Sequence, residues 1–256
     1  MPDFDLTNFS TEERAQIALL EPERMPQHIA VIMDGNGRWA TRQGLPRVFG
    51  HAAGVESVRA MFNACDDLGI RYITLYSFST ENWSRPADEI DALMNLIDMQ
   101  MRSEAEHLNR KNARIRQLGR VEDLPEKLVE TLRYIEELTC KNTGITIQFA
   151  INYSGRAELL DAAKKLTRAA ANGEINPDTL TEADVAAALY RPDVPDPDLV
   201  IRTAGEMRVS NYLLWQIAYS EFWVTPLFWP EFRAPHLLEA LLNYQQRKRK
   251  FGGISA

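Results

Sequence analysis

His28-Ile29-Ala30-Val31-Ile32-Met33, followed at once by Asp34-Gly35-Asn36-Gly37-Arg38-Trp39-Ala40, is the stretch that decides the fold. Its first half is an almost unbroken apolar run rich in β-branched side chains. A half-wet strand would alternate; a continuous run suits a strand covered on both faces, as in a parallel sheet. The two glycines that follow let backbone N–H groups approach a phosphate closely, and a helix start beyond them would add a favourable dipole. Gly35–Ala40 also fits the Gly-x-Gly-x-x-Gly/Ala dinucleotide pattern. That pattern expects an acid about 20 positions on, at the end of the next strand; Glu56 has the spacing but falls within a helical stretch.

Outward from this stretch, helix and strand patterns alternate. Val55, Val58, Phe62, Cys65 and Leu68 recur at helical spacing, and Tyr72–Ser77 reads as a second strand behind the breaker Gly69. Ile90, Leu93, Met94, Ile97, Met101 and Leu108 line one stripe of a long helix. Pro86 near its start, with Asp88 and Glu89 in its first turn, suits the positive end of the dipole. Arg114–Leu118 is a third strand, Leu128–Leu138 a helix opened by Pro125, and Ile145–Asn152 a fourth strand. Helices are expected at 156–171 and 181–189, a fifth strand at Leu199–Thr203, a helix at Ser210–Tyr219, an extended segment at Phe222–Thr225 and a last helix at 236–250. Strands separated by helices imply right-handed crossovers and a sheet with helices on both faces. The reading is a single α/β domain at residues 25–256, with a mostly parallel central sheet of about six strands flanked by helices. A polar extension at residues 1–24 precedes it.

The 256 residues are 45% apolar and 25% charged, which argues against disorder or a fibrous repeat. Thirty-six acidic against 29 basic side chains give a charge of −7, unlike the basic face that nucleic-acid binding needs. Two cysteines, Cys65 and Cys140, make no disulfide framework and lack zinc spacing, so a reducing, cytoplasmic setting is expected. Residues 1–24 carry Asp3, Asp5, Glu12, Glu13 and Arg14, without the basic start and apolar core of a signal peptide. The greasiest stretch, Leu213–Trp229, is interrupted by Gln216, Glu221 and Pro226, short of the roughly 20 apolar residues of a spanning helix.

Ligands of open α/β sheets bind outside the carboxyl ends of the strands, so three loops carry the chemistry. In the first, Asp34 stands at the mouth of a phosphate-type loop, where it repels an anion unless a cation stands between them. Mg²⁺, usually held by one or two carboxylates plus substrate phosphates, suits that place; the competing reading is a cap on the following turn or helix. Arg38, Arg42, Arg47 and His51 could all face an anion or form a solvated basic loop. The second loop, Phe78-Ser79-Thr80-Glu81-Asn82-Trp83-Ser84-Arg85-Pro86, can hold a polar head and wall an apolar tail. Packing is the default for Trp83, and an i, i+4 ion pair with Arg85 is the ordinary explanation of Glu89. The third, Arg202-Thr203-Ala204-Gly205-Glu206-Met207-Arg208-Val209-Ser210-Asn211, places two arginines and a serine around a glycine, with a helix expected next. Glu221 is a surface acid or a second metal ligand. Two anion sites and a lone Asp suggest two phosphorylated substrates. Arg247–Lys250 reads as a solvated helix end, with attraction to anionic lipid as the lesser reading.

Together the three loops resemble the cis-prenyltransferases, the undecaprenyl diphosphate synthase family. The resemblance rests on His28–Ala40, Phe49-Gly50-His51, Phe78–Pro86 and Ile201–Gln216, in family order, and runs from about His28 to Gly253. Ala204 departs from it, since Gly or Ser is usual there, and a methyl group is expected to be tolerated. The resemblance implies a soluble transferase of isoprenoid biosynthesis that condenses isopentenyl diphosphate onto farnesyl diphosphate with cis double bonds, giving undecaprenyl diphosphate for peptidoglycan synthesis. By position, Asp34 would hold Mg²⁺ and assist departure of the allylic diphosphate, with Glu221 contributing to the metal. Gly35, Asn36, Gly37, Arg38, Arg47 and His51 would hold that diphosphate. Arg202, Arg208, Val209 and Ser210 would hold the isopentenyl diphosphate; Trp39, Ser79, Thr80, Glu81, Trp83 and Arg85 would position substrate. Asn82 matches the residue to which the family assigns proton acceptance; an amide is a poor base, so either it orients water or the leaving diphosphate takes the proton. The growing chain needs an apolar tunnel, with the Ile90–Leu108 stripe and Ile145–Phe149 as candidate walls and Ile145 near its floor. A homodimer is implied, with the aromatic-rich end (Phe222, Trp223, Phe228, Trp229, Phe232) serving interface or core, and peripheral membrane contact for product release.

Three rival readings stand beside this one. A nicotinamide oxidoreductase built on Gly35-x-Gly37 predicts cofactor retention without Mg²⁺ dependence. A non-catalytic subunit of the same fold would have no use for Asp34. A family enzyme of other product length differs in tunnel volume rather than in motifs.

Overall fold

The run at His28–Ile32 forms strand β1, every residue of it buried. The computed structural model describes residues 4–247, and the elements around β1 follow in the expected alternation. Helices α2 (Asn36–Arg42) and α3 (Arg47–Asp67) lead to β2 (Tyr72–Ser79); α4 (Ala87–Arg110) leads to β3 (Arg114–Leu118). Helix α5 (Glu126–Thr139), β4 (Thr146–Tyr153), α6 (Gly155–Ala171) and α7 (Glu182–Ala188) precede β5 (Leu199–Arg202), β6 (Glu221–Val224) and α8 (Ala234–Gln245). The basic run expected to close the last helix falls partly outside the described residues, since only Arg247 of it is described.

All pairings are parallel, in the order β3-β4-β2-β1-β5-β6. The chain leaves β1 toward β2 on one side, while β5 joins it on the other. That reversal is where open α/β sheets open a crevice at the carboxyl edge. Register makes it concrete: Ile32 lies opposite both Tyr76 and Arg202, so the loops after β1, β2 and β5 emerge side by side. Strand residues alternate between two cores. Ile29, Val31, Ile73, Leu75, Ile147, Phe149 and Ile201 pack toward α3, α4, α5 and α8, whereas Ala30, Ile32, Ala150 and Val200 pack beneath Tyr212, Leu213 and Ile217.

The N-terminal segment joins the first of these cores. Ser10 and Glu13 form a capping box that opens α1 (Thr11–Ile17), and Phe9, Ile17 and Leu20 are buried. Trp223, Trp229 and Phe232 of the aromatic-rich end are core residues too; Phe222 and Phe228 are half-buried. Among the described residues, no helix is long and apolar enough to cross a membrane.

The helix expected at Ser210–Tyr219 is a set of irregular turns. Ser210, Asn211 and Leu213 all have left-handed backbone (φ 47°, 58° and 44°), which a helix cannot contain. The apolar spacing there serves a coil that drops Tyr212 and Leu213 into the second core. Asn211 is spent on α6, its carbonyl accepting from Gly155 N (2.7 Å) and its side-chain oxygen from Arg156 N (2.9 Å). Tertiary contacts thereby outweigh the local period. Ala204 also lies in the left-handed region (φ 69°), so its methyl costs about 1 kcal/mol of backbone strain rather than nothing.

His28 carries a measurable consequence. The residue is 2% exposed, its ring between the Pro195 carbonyl (2.6 Å) and Thr74 Oγ1 (2.8 Å), and burial pushes its pKa down from 6.5 to about 4 against the raising effect of the Pro195 carbonyl and Asp198. The unfolded chain binds this proton below pH 6.5 and the folded chain only near 4. The stabilisation is therefore complete above 6.5 and lost as pH falls toward 4, by about 3 kcal/mol. Denaturant titrations should show His28→Gln with a shallower loss of stability than wild type over that interval. Equal slopes would refute the assignment.

Candidate active site

Asp34 is fixed by its backbone before its side chain does anything. Its carbonyl accepts from Thr203 Oγ1 (2.7 Å) and Trp229 N (3.0 Å), and Gly35 turns the chain away at φ 100°. A side chain at Gly35 would come within 2.7 Å of Phe228, so glycine is required there for space as well as angle. The carboxylate does not cap α2, which begins without a side-chain cap. Its Oδ1 accepts from Gly35 N (2.7 Å) and Arg38 Nη2 (3.0 Å), its Oδ2 from Arg202 Nη2 (2.9 Å). Burial raises its pKa, but the two guanidiniums outweigh that and the net shift is downward, so Asp34 is an anion at neutral pH.

Arg202 joins the first loop to the third. It is 3% exposed at the end of β5; one nitrogen reaches Asp34, and Nη1 donates to Ser210 Oγ (2.7 Å) and to the Arg208 carbonyl. The left-handed turn at Ser210 makes this clasp, so anion-binding groups gather here without a helix start. Arg208 and Arg38 both pair with Glu206. Across the crevice, Glu89 holds Arg85 (3.0 Å) and Arg47 (3.5 Å), as the i, i+4 spacing predicts for the first of them. His51 lies beside this pair with Nε2 buried and unpartnered. Burial first, then Arg85 and Arg47, push its pKa to about 4, so it is a neutral imidazole at physiological pH.

These groups stand at the head of a cavity of about 760 Å³ between β1, β2, β4, α3 and α4. It reaches Asp34, Asn36, His51, Ser79, Glu81, Asn82, Arg85, Arg202, Arg208 and Ser210 at its polar end, and continues between Val58, Phe62, Leu93, Ile97, Met101 and Phe149. From Leu93 to Leu108 α4 contributes about 22 Å of wall, at about 1.5 Å per residue. Ile147 and Phe149 line it, whereas Ile145, expected near a floor, is ordinary core.

Several expected residues lie beside the cavity rather than on it. Gly35, Gly37, Arg38, Trp39, Arg47, Thr80 and Val209 flank its mouth in sequence but do not line it. Trp83, 37% exposed, stands edge-on to Phe78 at 5.2 Å and donates to Asn152 Oδ1 at 2.8 Å. Asn82 uses its side-chain oxygen to accept from Ser79 N (3.0 Å), so the end of the amide left for a ligand is a donor. Glu221 stands apart from the cavity within this chain. It lies level with Leu199 and Ile29 at the amino end of the strands, about 10 Å along the sheet from Ile32 at about 3.3 Å per residue, and Arg247 holds it at 2.7 Å. Within one chain it cannot share an ion with Asp34. Conversely, Tyr76, Ser77, Asn211 and the polar flank Arg59, Asn63, Gln100, Glu104 and His107 line the cavity unforeseen. For the polar flank, helical spacing beside the apolar stripes was the only trace in the sequence.

The donor set fits Mg²⁺ as a ligand shared with substrate rather than caged by protein. Among the described residues no three His, Cys, Asp or Glu side chains form a metal cluster, and Asp34 is a single carboxylate ringed by arginines that suit phosphate.

Residues 32–252 match the family model described as "Putative undecaprenyl diphosphate synthase". An isoprenyl transferase of Heliobacterium mobile is 49% identical over 251 residues, covering 98% of this chain and 96% of that one. One from Thermotoga maritima is 47% identical over 231 residues, covering 90% and 98%. Among solved structures, lavandulyl diphosphate synthase from Lavandula x intermedia, in complex with dimethylallyl diphosphate, superposes with a TM-score of 0.88 at 35% identity, over 90% of this chain and 99% of that one. A probable undecaprenyl diphosphate synthase from Campylobacter jejuni gives 0.75 at 30% identity, over 89% and 98%. With its parallel sheet, its arginine-bearing loops and these relatives, the chain belongs to the prenyltransferases of the undecaprenyl diphosphate synthase family.

Proposed function

We propose that this chain condenses isopentenyl diphosphate repeatedly, with cis geometry, onto an allylic diphosphate such as farnesyl diphosphate, to make undecaprenyl diphosphate. One observation carries the reading: two arginine-bearing loops meet at Asp34, at the head of an apolar cavity of about 760 Å³. That volume lies in the upper part of the usual range for ligand sites, about 300–1,000 Å³. In each cycle the allylic carbon–oxygen bond breaks, diphosphate departs with the electron pair, and the isopentenyl double bond supplies the electrons of the new carbon–carbon bond. Loss of a proton from the adjacent carbon then forms the new double bond.

The residues divide the work by charge and position. Arg38, with His51 and the N–H groups around Gly35 and Asn36, binds the allylic diphosphate; His51, being neutral, donates without adding charge. Arg202, Arg208 and Ser210 bind the isopentenyl diphosphate. Asp34 would hold Mg²⁺, which when bound neutralises charge developing on the departing diphosphate. Arg85 and Arg47, fixed by Glu89, keep the mouth cationic. Asn82 orients substrate as a donor, and the departing diphosphate is the acceptor for the proton. A homodimer and peripheral membrane contact at product release belong to the same proposal.

Purified protein given Mg²⁺, farnesyl diphosphate and labelled isopentenyl diphosphate should yield a long polyprenyl diphosphate on chromatography. A product that stops after one condensation would favour a short-chain enzyme of this family. No condensation at all would sink the proposal.

A further inference from the structure

One side of the cavity is not walled by apolar packing. Along α3, Arg59 and Asn63 lie one turn apart beside Val55, Val58 and Phe62; along α4, Gln100, Glu104 and His107 form a polar stripe beside Leu93, Ile97, Met101 and Leu108. The two polar stripes face each other across a seam. Arg59 bridges it: Nε donates to Glu104 Oε1 at 2.9 Å, Nη2 donates to the same oxygen, and Nη1 to Glu56 on its own helix. The bridge is partly exposed, with Arg59 at 41% and Glu104 at 22% of side-chain surface. Gln100 presents a buried Oε1 without a partner alongside it.

Below its polar head, the rest of the cavity wall is strand or the packed apolar face of a helix. Among the described residues below the polar head, this is where closure depends on side-chain charges that water can solvate again. We propose that this seam is the lateral exit for a growing prenyl chain, and that the Arg59–Glu104 clasp sets the length at which elongation ends. The proposal rests on the polyprenyl-synthesising reading above. A chain that outgrows the cavity must either stop or part the two helices, and the clasp opposes parting. Exposed ion pairs are weakly held and screened by salt, so this stop is adjustable, unlike a wall of packed side chains.

The test is the product-length distribution with Mg²⁺, farnesyl diphosphate and labelled isopentenyl diphosphate, read beside the rate of the first condensation. Arg59→Gln and Glu104→Gln should each shift the distribution toward longer chains by whole isoprene units. The first-condensation rate should not change, because neither residue touches the diphosphate-binding loops. The charge swap Arg59→Glu with Glu104→Arg should restore the wild-type length. Raising salt should lengthen wild-type products and leave those of the doubly neutralised variant unchanged; the wild-type salt arm needs no altered protein. Unchanged or shorter products from both single variants, a swap that fails to restore length, or salt-independent wild-type length would each overturn the clasp. Wild type that makes only one condensation would overturn the polyprenyl reading itself, which the first-condensation assay reports separately.

Discussion

Asp34→Asn should lower turnover by about 10²–10³-fold or more, the usual cost of losing one preorganised charge at a reacting diphosphate. The asparagine oxygen can still accept from Gly35 N and Arg38, which keeps the loop in place, while the negative charge that would hold Mg²⁺ is gone. Asp34→Ala should lose turnover as severely and more stability. Both variants take the anion from Arg202, whose side chain is only 4% exposed, at about 2–3 kcal/mol once the partial exposure of Asp34 is allowed for. Asp34→Ala alone also removes the acceptor for Gly35 N and Arg38. The two variants therefore separate chemistry from folding. Mg²⁺-dependent turnover measured beside thermal melting reads both. Wild-type kcat in a folded Asp34→Asn protein would remove Asp34 from the reaction.

Arg202→Lys should raise KM for isopentenyl diphosphate and lower kcat/KM by about 100-fold. The guanidinium serves Asp34, Ser210 and the Arg208 carbonyl at once, in a plane. An ammonium keeps the charge but cannot span three partners in that geometry, and each charged hydrogen bond lost is worth about 1.5–3 kcal/mol. The KM for the allylic substrate should move much less, because Arg38 and His51 stand on the other side of Asp34. Steady-state kinetics with each substrate varied in turn distinguishes the two. Equal shifts in both KM values would place Arg202 in the allylic site instead.

Much of this site was legible because it is local. Asp34 and its glycines sit directly behind a run that could only be a buried strand. The Arg85–Glu89 pair is a spacing rule on one helix. What was not legible depends on partners distant in sequence. Ser210–Tyr219 keeps a helical spacing of apolar residues but is held as coil by α6 and the second core, through hydrogen bonds between residues 55 or more positions apart. Glu221 carries the chemistry of a metal ligand, yet the sheet register sends it to the opposite edge, where Arg247 neutralises it. The Arg59–Glu104 bridge spans 45 positions and two helices, and neither residue carries a motif.

The sequence by itself determined the element types outside Ser210–Tyr219, the parallel sheet and the three loops that carry charge. Each of these follows from hydrophobic period, backbone freedom and residue type within a short window. Only the tertiary structure decided that Arg202 binds Asp34 and Ser210 together, that Asn82 turns its amide outward as a donor, and that an apolar cavity is closed on one side by charge. Those facts depend on strand order and register, which bring distant residues within hydrogen-bond reach, and no local period encodes them.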